Sequence, residues 1–315
     1  MSTDSITEAW RPESIPRRVL ENVVVLAEGL QFPEGPVALR DGSVLLVEVD
    51  RATVTRVGPD GEVEILAACD GGPNGTAIGP DGAAYLCNNG GRFASGNWDG
   101  GWVDRLDLGT RQVERLYTHH EGRRLSGPND LVFDKAGGFW FTDIGKVRGR
   151  ERDIGSLYYA TIDGGRLIEA AHPVESPNGI GLSPDGRTLY YAETSTGRLR
   201  RRSVTGPGEL EPAEGHDPAT LVCGLPGDQR FDSLAVDTEG NVCVGTLITG
   251  CITVVSPDGR TVEQWFLPPG LEDHLPTNIC FGGPDLRTAY ITLAGTGRLV
   301  ACPWPIPGLP LAFDA

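Results

Sequence analysis

Ser176-Pro177-Asn178-Gly179-Ile180-Gly181-Leu182-Ser183-Pro184-Asp185-Gly186 runs straight into Thr188-Leu189-Tyr190-Tyr191-Ala192. A short apolar strand, a Pro-Asp-Gly turn and a second strand follow one polar residue. The pattern recurs six times, beginning Phe32-Pro33-Glu34-Gly35, Gly72-Pro73-Asn74-Gly75, Gly127-Pro128-Asn129-Asp130, Ser176-Pro177-Asn178-Gly179, Arg230-Phe231-Asp232-Ser233 and Pro276-Thr277-Asn278-Ile279. The fifth copy lacks the Pro, and the sixth has it one residue earlier. The equivalent positions read Glu34, Asn74, Asn129, Asn178, Asp232 and Asn278, all with oxygen-bearing side chains. Counted between those positions, the spacing is 40 to 55 residues, the period of a four-stranded propeller blade.

Within the first copy, Val37-Ala38-Leu39, Ser43–Val49, Thr53–Val57 and Val63–Leu66 read as four strands separated by Gly, Pro and Asp. Helical periodicity is weak throughout. The predicted fold is therefore all-β: a six-bladed β-propeller with four antiparallel strands per blade. The last copy supplies only three strands before the tail turns Pro-rich (Pro303, Pro305, Pro307, Pro310). Asn22–Ala27 is the expected fourth, an N-terminal strand closing the ring and removing an open edge. The expected organisation is an irregular arm over 1–20, one propeller over 21–302 and a Pro-rich tail over 303–315. That tail is expected either to pack on the propeller or to mediate association, and oligomeric state is not legible.

Composition fits this reading. The chain has 315 residues, 44 Gly and 24 Pro, which suits a turn-rich β-protein. Its net charge of −16 opposes phosphate backbones and anionic membranes, so neither nucleic acid nor membrane is an expected partner. No secretory leader or apolar spanning run is visible, and the seven cysteines (69, 87, 223, 243, 251, 280 and 302) are scattered, without a Cys-x-x-Cys pair. A cytoplasmic protein with reduced, mostly core cysteines is the expectation.

In a propeller the residue that begins each inner strand faces the channel mouth. Six oxygen-bearing side chains, two of them carboxylates, then converge. Carboxylate and amide oxygens suit a hard divalent cation, which also relieves the repulsion between Glu34 and Asp232. Pro-Asn-Gly alone would mark only turns. That reading is accepted for Pro-Asp-Gly at Asp60, Asp81, Asp185 and Asp258, and is weaker at Glu34 and Asp232. Asn74 and Asn278 are assigned to structure or substrate contact rather than to metal.

These motifs, with Asp285-Leu286-Arg287-Thr288-Ala289-Tyr290, resemble the senescence-marker-protein/gluconolactonase family, which includes regucalcin. The resemblance runs from about residue 25 to residue 300. It implies a six-bladed propeller and one divalent cation at the mouth. Calcium is the first expectation, with zinc, manganese or iron as alternatives, held by Glu34, Asn129, Asn178 and Asp232. It implies hydrolysis of a lactone, of a sugar acid or related hydroxy acid. The cation would polarise the carbonyl, and Asp232 would serve as general base or water-orienting group. Asn129, Asn74, Asn278 and His274 are the expected substrate contacts. Where sugar-lactonase members carry an Arg two residues before the third-copy Asn, this chain has Gly127; Arg123, Arg148 or Arg150 could replace it from a loop, a solvated basic loop being the preferred reading. The loop Asn88–Gly101, with Phe93, Trp98 and Trp102, is expected either as a lid or as packed surface. A phosphotriesterase-type hydrolase on the same metal, and a non-catalytic ligand-binding propeller, are the alternatives. No Gly-x-Ser-x-Gly elbow offers a serine nucleophile.

Overall fold

The structure is a computed structural model that describes residues 15–91, 100–213 and 220–314. The Pro-Asp-Gly tripeptides do form the turns between strands. Asp60, Asp81, Asp185 and Asp258 each accept a hydrogen bond from the backbone N–H two residues on, which fixes the chain reversal locally. Each turn returns a β-branched or aromatic run antiparallel to the strand before it. Six small antiparallel sheets result.

Blade 1 is Pro33–Ala38, Val44–Glu48, Thr53–Val57 and Val63–Ala68. Blade 2 is Pro73–Ile78, Ala84–Asn88, Trp102–Leu106 and Val113–Tyr117. Blade 3 is Pro128–Phe133, Phe139–Asp143, Gly155–Ala160 and Leu167–Val174. Blade 4 is Pro177–Leu182, Thr188–Glu193, Arg198–Gly206 and Leu221–Gly224. Blade 5 is Arg230–Val236, Val242–Leu247, Cys251–Val255 and Val262–Phe266. Blade 6 is Pro276–Gly282, Thr288–Leu293, Arg298–Pro303 and, from the other end of the chain, Val24–Ala27. The expected closure is observed: Val24 pairs with Ala301 and Val25 with Val300.

The core lies between blades, not within one centre. Six apolar clusters each join two neighbouring blades: 1 with 2 around Val37, Leu45 and Leu86; 2 with 3 around Tyr85 and Phe139; 3 with 4 around Trp140 and Leu182; 4 with 5 around Leu199 and Val244; 5 with 6 around Ile252 and Ile291; 6 with 1 around Tyr290 and Leu46. The last of these shuts the ring. Each sheet buries both faces, so the second strands read as continuous apolar runs rather than as alternating ones.

Close approach of the inner strands explains the glycine in Pro-Asn-Gly. A Cβ on Gly75 would meet the Asn129 carbonyl at 2.6 Å, and one on Gly179 would meet the Asp232 carbonyl at 2.6 Å. These glycines stand inside strands and make room for the neighbouring blade's backbone.

Of the expected irregular arm, only the described residues 15–20 depart from that expectation. Arg17–Val19 is a strand, pairing in parallel with Gln264–Phe266 at the edge of blade 5. Arg17 and Arg18 lie over the rings of Phe266 and Trp265, contacts that composition alone does not announce. The loop 146–152 also contains a small hairpin, Val147–Arg148 with Glu151–Arg152. The C-terminal tail packs on the propeller. Trp304 is buried against Trp265 and Phe281, and the Leu309 N–H donates to the Val236 carbonyl. Phe313 meets Phe133 edge-on, and Asp314 pairs with Arg40. The tail thus crosses the end of the channel opposite the mouth. A cavity of about 470 Å³ lies beneath it, lined by the inner strands and reaching as far as Asp130 and Asn278.

Candidate functional site: a ring of oxygens at the channel mouth

All six residues of the repeat position are buried at the start of inner strands: Glu34, Asn74, Asn129, Asn178, Asp232 and Asn278. A Pro lies one residue before the ring residue in blades 1 to 4 and two before it in blade 6. It donates no ladder hydrogen bond, so the strand can begin there. Phe32 and Ser176, just before two of these prolines, adopt φ of 56° and 41°. These are strained values for residues other than glycine, of the kind that gathers at functional sites.

The side chains interlock only in part. The Gly35 N–H donates to Glu34 Oε2 at 3.1 Å, and the Asn278 side chain also hydrogen-bonds to Glu34. Asn178 hydrogen-bonds to Asp232, and the Ser233 hydroxyl donates to Asn178 Oδ1 at 3.3 Å. Asn278 Oδ1 accepts the Ile279 N–H at 2.7 Å. By contrast, Asn74 Oδ1 and Asn129 Oδ1 are buried without any hydrogen-bond partner. Orphaned buried oxygens are uncommon and ask for an explanation.

A third carboxylate, which the repeat pattern did not single out, joins them. Asp130 is buried directly after Asn129. It accepts the Leu131 N–H at 2.9 Å and the Ile180 N–H at 3.4 Å. Burial pushes its carboxyl up to about 7. Asp232 is likewise pushed up to about 7, first by burial, with the charge of Asp130 adding to it and the Asn178 hydrogen bond opposing. Glu34 lies well above its ordinary value, through burial and then through the charges of Asp232 and Asp130. No cationic side chain is among the main influences on these three. A sequence signal for Asp130 did exist: at the position where three copies carry Gly, the third carries an acid.

The donor chemistry fits a hard divalent cation. Among the described residues, three carboxylates without an ion-pair partner, two amide oxygens without donors and a further amide at Asn178 make an all-oxygen set. Among the described residues no group of three or more His, Cys, Asp and Glu side chains is arranged to hold a metal by itself. Amide oxygens are therefore needed to complete any such site. Glu34, Asn129, Asn178 and Asp232 are brought to the same mouth.

The other expectations resolve individually. His274 is exposed at the rim, its Nδ1 3.1 Å from the Ile248 carbonyl. Arg148 is committed to Asp153 at 2.6 Å and Arg123 reaches Glu169 at 3.5 Å, so neither stands in for the Arg that Gly127 replaces. Trp102 is buried, donates to Asp104 at 2.6 Å and lies under Arg115, which is packing rather than a lid. Phe93 and Trp98 lie outside the described residues. The seven cysteines are free, and all but Cys223 are buried. Among the described residues no helix is long and apolar enough to cross a membrane.

Residues 32–295 match the family model described as SMP-30/Gluconolactonase/LRE-like region. The chain belongs to this family. Among curated members, it is 28% identical over 293 residues to a gluconolactonase of Zymomonas mobilis, covering 82% of this chain and 76% of that one. It is 28% identical over 284 residues to the lactonase drp35 of Staphylococcus epidermidis, covering 89% and 80%. The fold is shared with a gluconolactonase of Xanthomonas campestris (TM-score 0.72, 24% identity, 90% and 89% covered). It is shared too with a calcium-binding regucalcin of Agrobacterium tumefaciens (TM-score 0.71, 18% identity, 95% and 99% covered).

Proposed function

We propose that this protein is a metal-dependent lactonase, opening a cyclic ester to its hydroxy acid at the oxygen ring. The observation that carries the reading is the convergence of Glu34, Asn129, Asn178 and Asp232 at one channel mouth, in a chain of the lactonase family. A divalent cation held by these four would polarise the lactone carbonyl and stabilise negative charge on its oxygen. Calcium is the first choice, because the set is all oxygen and the regucalcin that shares this fold is a calcium-binding protein.

The chain's own residues do the rest. Asp232 orients the attacking water and takes its proton as the new carbon–oxygen bond forms. The ring carbon–oxygen bond then breaks, and the proton passes to the departing alkoxide. Asn178 holds Asp232 in place through its hydrogen bond. Asn129 offers an oxygen with no competing partner. Asn74 and Asn278 face substrate from blades 2 and 6, and His274 stands at the rim.

The test is hydrolysis of γ- and δ-lactones with calcium and with chelator. Chelator-sensitive turnover is the expected result. Chelator-sensitive cleavage of a phosphotriester but of no lactone would move the assignment to the phosphotriesterase alternative. No hydrolysis of either would leave a ligand-binding propeller.

A further inference from the structure

Away from the mouth, the inner strands and the C-terminal tail enclose the cavity of about 470 Å³. Pockets that take small organic molecules measure about 300–1,000 Å³. Residues two apart on a strand share a face. In blade 4 these are Ile180 and Leu182, in blade 5 Leu234 and Val236, and all four line the cavity. The tail supplies the remaining wall through Leu309 and Phe313. The Leu309 N–H is bound to the Val236 carbonyl at 2.9 Å, and the Phe313 ring meets Phe133 edge-on at 5.8 Å.

Two features set this space apart from the blade-to-blade cores. Part of its apolar lining is left uncovered: Val132, Ala235, Leu309 and Phe313 are only half-buried. Apolar surface of this kind gains when a guest displaces water from it. In addition, two residues of the lining carry buried polar atoms without partners among the described residues, the Trp140 indole N–H and Thr76 Oγ1. Trp140 is fully buried and Thr76 nearly so. An indole nitrogen can only donate, and a buried donor that has lost water and found no acceptor is costly to the fold. A guest that brings an oxygen acceptor removes that cost.

Charge narrows the class further. Asp130 stands at the inner end of the cavity, in a chain of net charge −16, which opposes an anionic guest. Lys135 and Arg187 stand among the lining turns and oppose a cationic one. The lining is otherwise dominated by aliphatic and aromatic side chains, against which the hydroxyl groups of a polyol would lose their hydration without replacement.

We infer that this cavity is a second binding site, back to back with the oxygen ring, for one neutral and largely apolar molecule that carries a carbonyl or ether oxygen for the Trp140 indole. This site does not depend on what is hydrolysed at the mouth.

The probe is 6-propionyl-2-dimethylaminonaphthalene, a neutral aromatic ketone. Its emission moves to the blue in apolar surroundings and back toward the red when its carbonyl accepts a hydrogen bond. Titrated with the full chain in calcium, it should show saturable, one-to-one, blue-shifted emission with a Kd of about 10 μM or below, as befits a well-covered ligand of its size. Ala235→Phe fills the space from an inner strand, and removal of residues 309–315 takes away the tail's wall. Each should weaken binding about tenfold or more. Trp140→Phe keeps an aromatic ring but not the donor. It should weaken binding about fivefold, the order of one neutral hydrogen bond, and move the bound emission further to the blue. His274→Ala, at the rim of the mouth, should leave the affinity unchanged. The comparison is made on variants whose urea unfolding stays cooperative. Absence of saturable binding to the wild type overturns the inference. So does an affinity that neither Ala235→Phe nor the tail deletion moves, or one that His274→Ala abolishes. Affinity and emission both unchanged in Trp140→Phe overturn the oxygen-bearing ligand.

Discussion

Replacing Asp232 by Asn should stabilise the metal-free protein while abolishing its activity. Asp232 is fully enclosed, and its carboxyl is carried from 3.8 to about 7. Each tenfold in an acidity constant is about 1.4 kcal/mol, so holding the ionised form costs the fold about 4 kcal/mol well above pH 7. The folded carboxyl is the weaker acid. Stability is therefore greatest below the unfolded value and is lost as pH rises through the folded one, with a slope of about 1.4 kcal/mol per pH unit between about 4 and 7. Asn keeps the shape and a hydrogen-bonding group for Asn178 but has no charge to bury. The assay is urea unfolding in chelator from pH 5 to pH 8, for wild type and Asp232→Asn. The gap should widen by about 2–3 kcal/mol between pH 5 and pH 8, most of it below pH 7, the variant being the more stable at the alkaline end. Parallel curves across that range would refute the argument that burial of this carboxylate is uncompensated without a cation. Lactone turnover near the wild-type rate in the variant would remove Asp232 from the chemistry.

Calcium should raise the melting temperature of the wild type more at pH 8 than at pH 5, because it binds the ionised carboxylates; scanning calorimetry at both pH values tests this. Glu34→Gln should lose that calcium-dependent rise and most lactone turnover while keeping its far-UV circular dichroism. Trp304→Ala should cost about 3–5 kcal/mol in urea unfolding, since a buried indole between Trp265 and Phe281 is removed. Deleting residues 1–28 should abolish cooperative unfolding, because Val24–Ala27 is the fourth strand of blade 6; a folded truncated ring would contradict this.

The propeller was legible because its signal repeats. Pro-Asn-Gly and Pro-Asp-Gly recur in fixed order, and three strands after Asn278 left a gap that only Asn22–Ala27 could fill. The oxygen ring was legible for the same reason: Glu34 and Asp232 stand where the other copies have Asn. Asp130 escaped because it sits one residue off the repeated position, where its charge reads as a substitution for glycine. Arg17–Val19 escaped because a three-residue strand of two arginines and one valine has no amphipathic pattern; it is held by cation–π contact and by an edge on a distant blade. The Ile248–His274 pairing could not be read at all, since it depends on a backbone N–H choosing the next blade over its own.

The tail that crosses the far end of the channel has a kinetic meaning. With Leu309 bound to blade 5, Phe313 against blade 3 and Asp314 on blade 1, the tail lies across that end, and the proposed reaction is assigned to the mouth for both substrate and product. Under the proposed reaction a neutral ester enters and an anion must leave by the same route. That anion is released beside Glu34, Asp130 and Asp232, in a chain of net charge −16. Like charge drives it outward, so the acidity that suits the mouth to a cation would also clear the site for the next turnover.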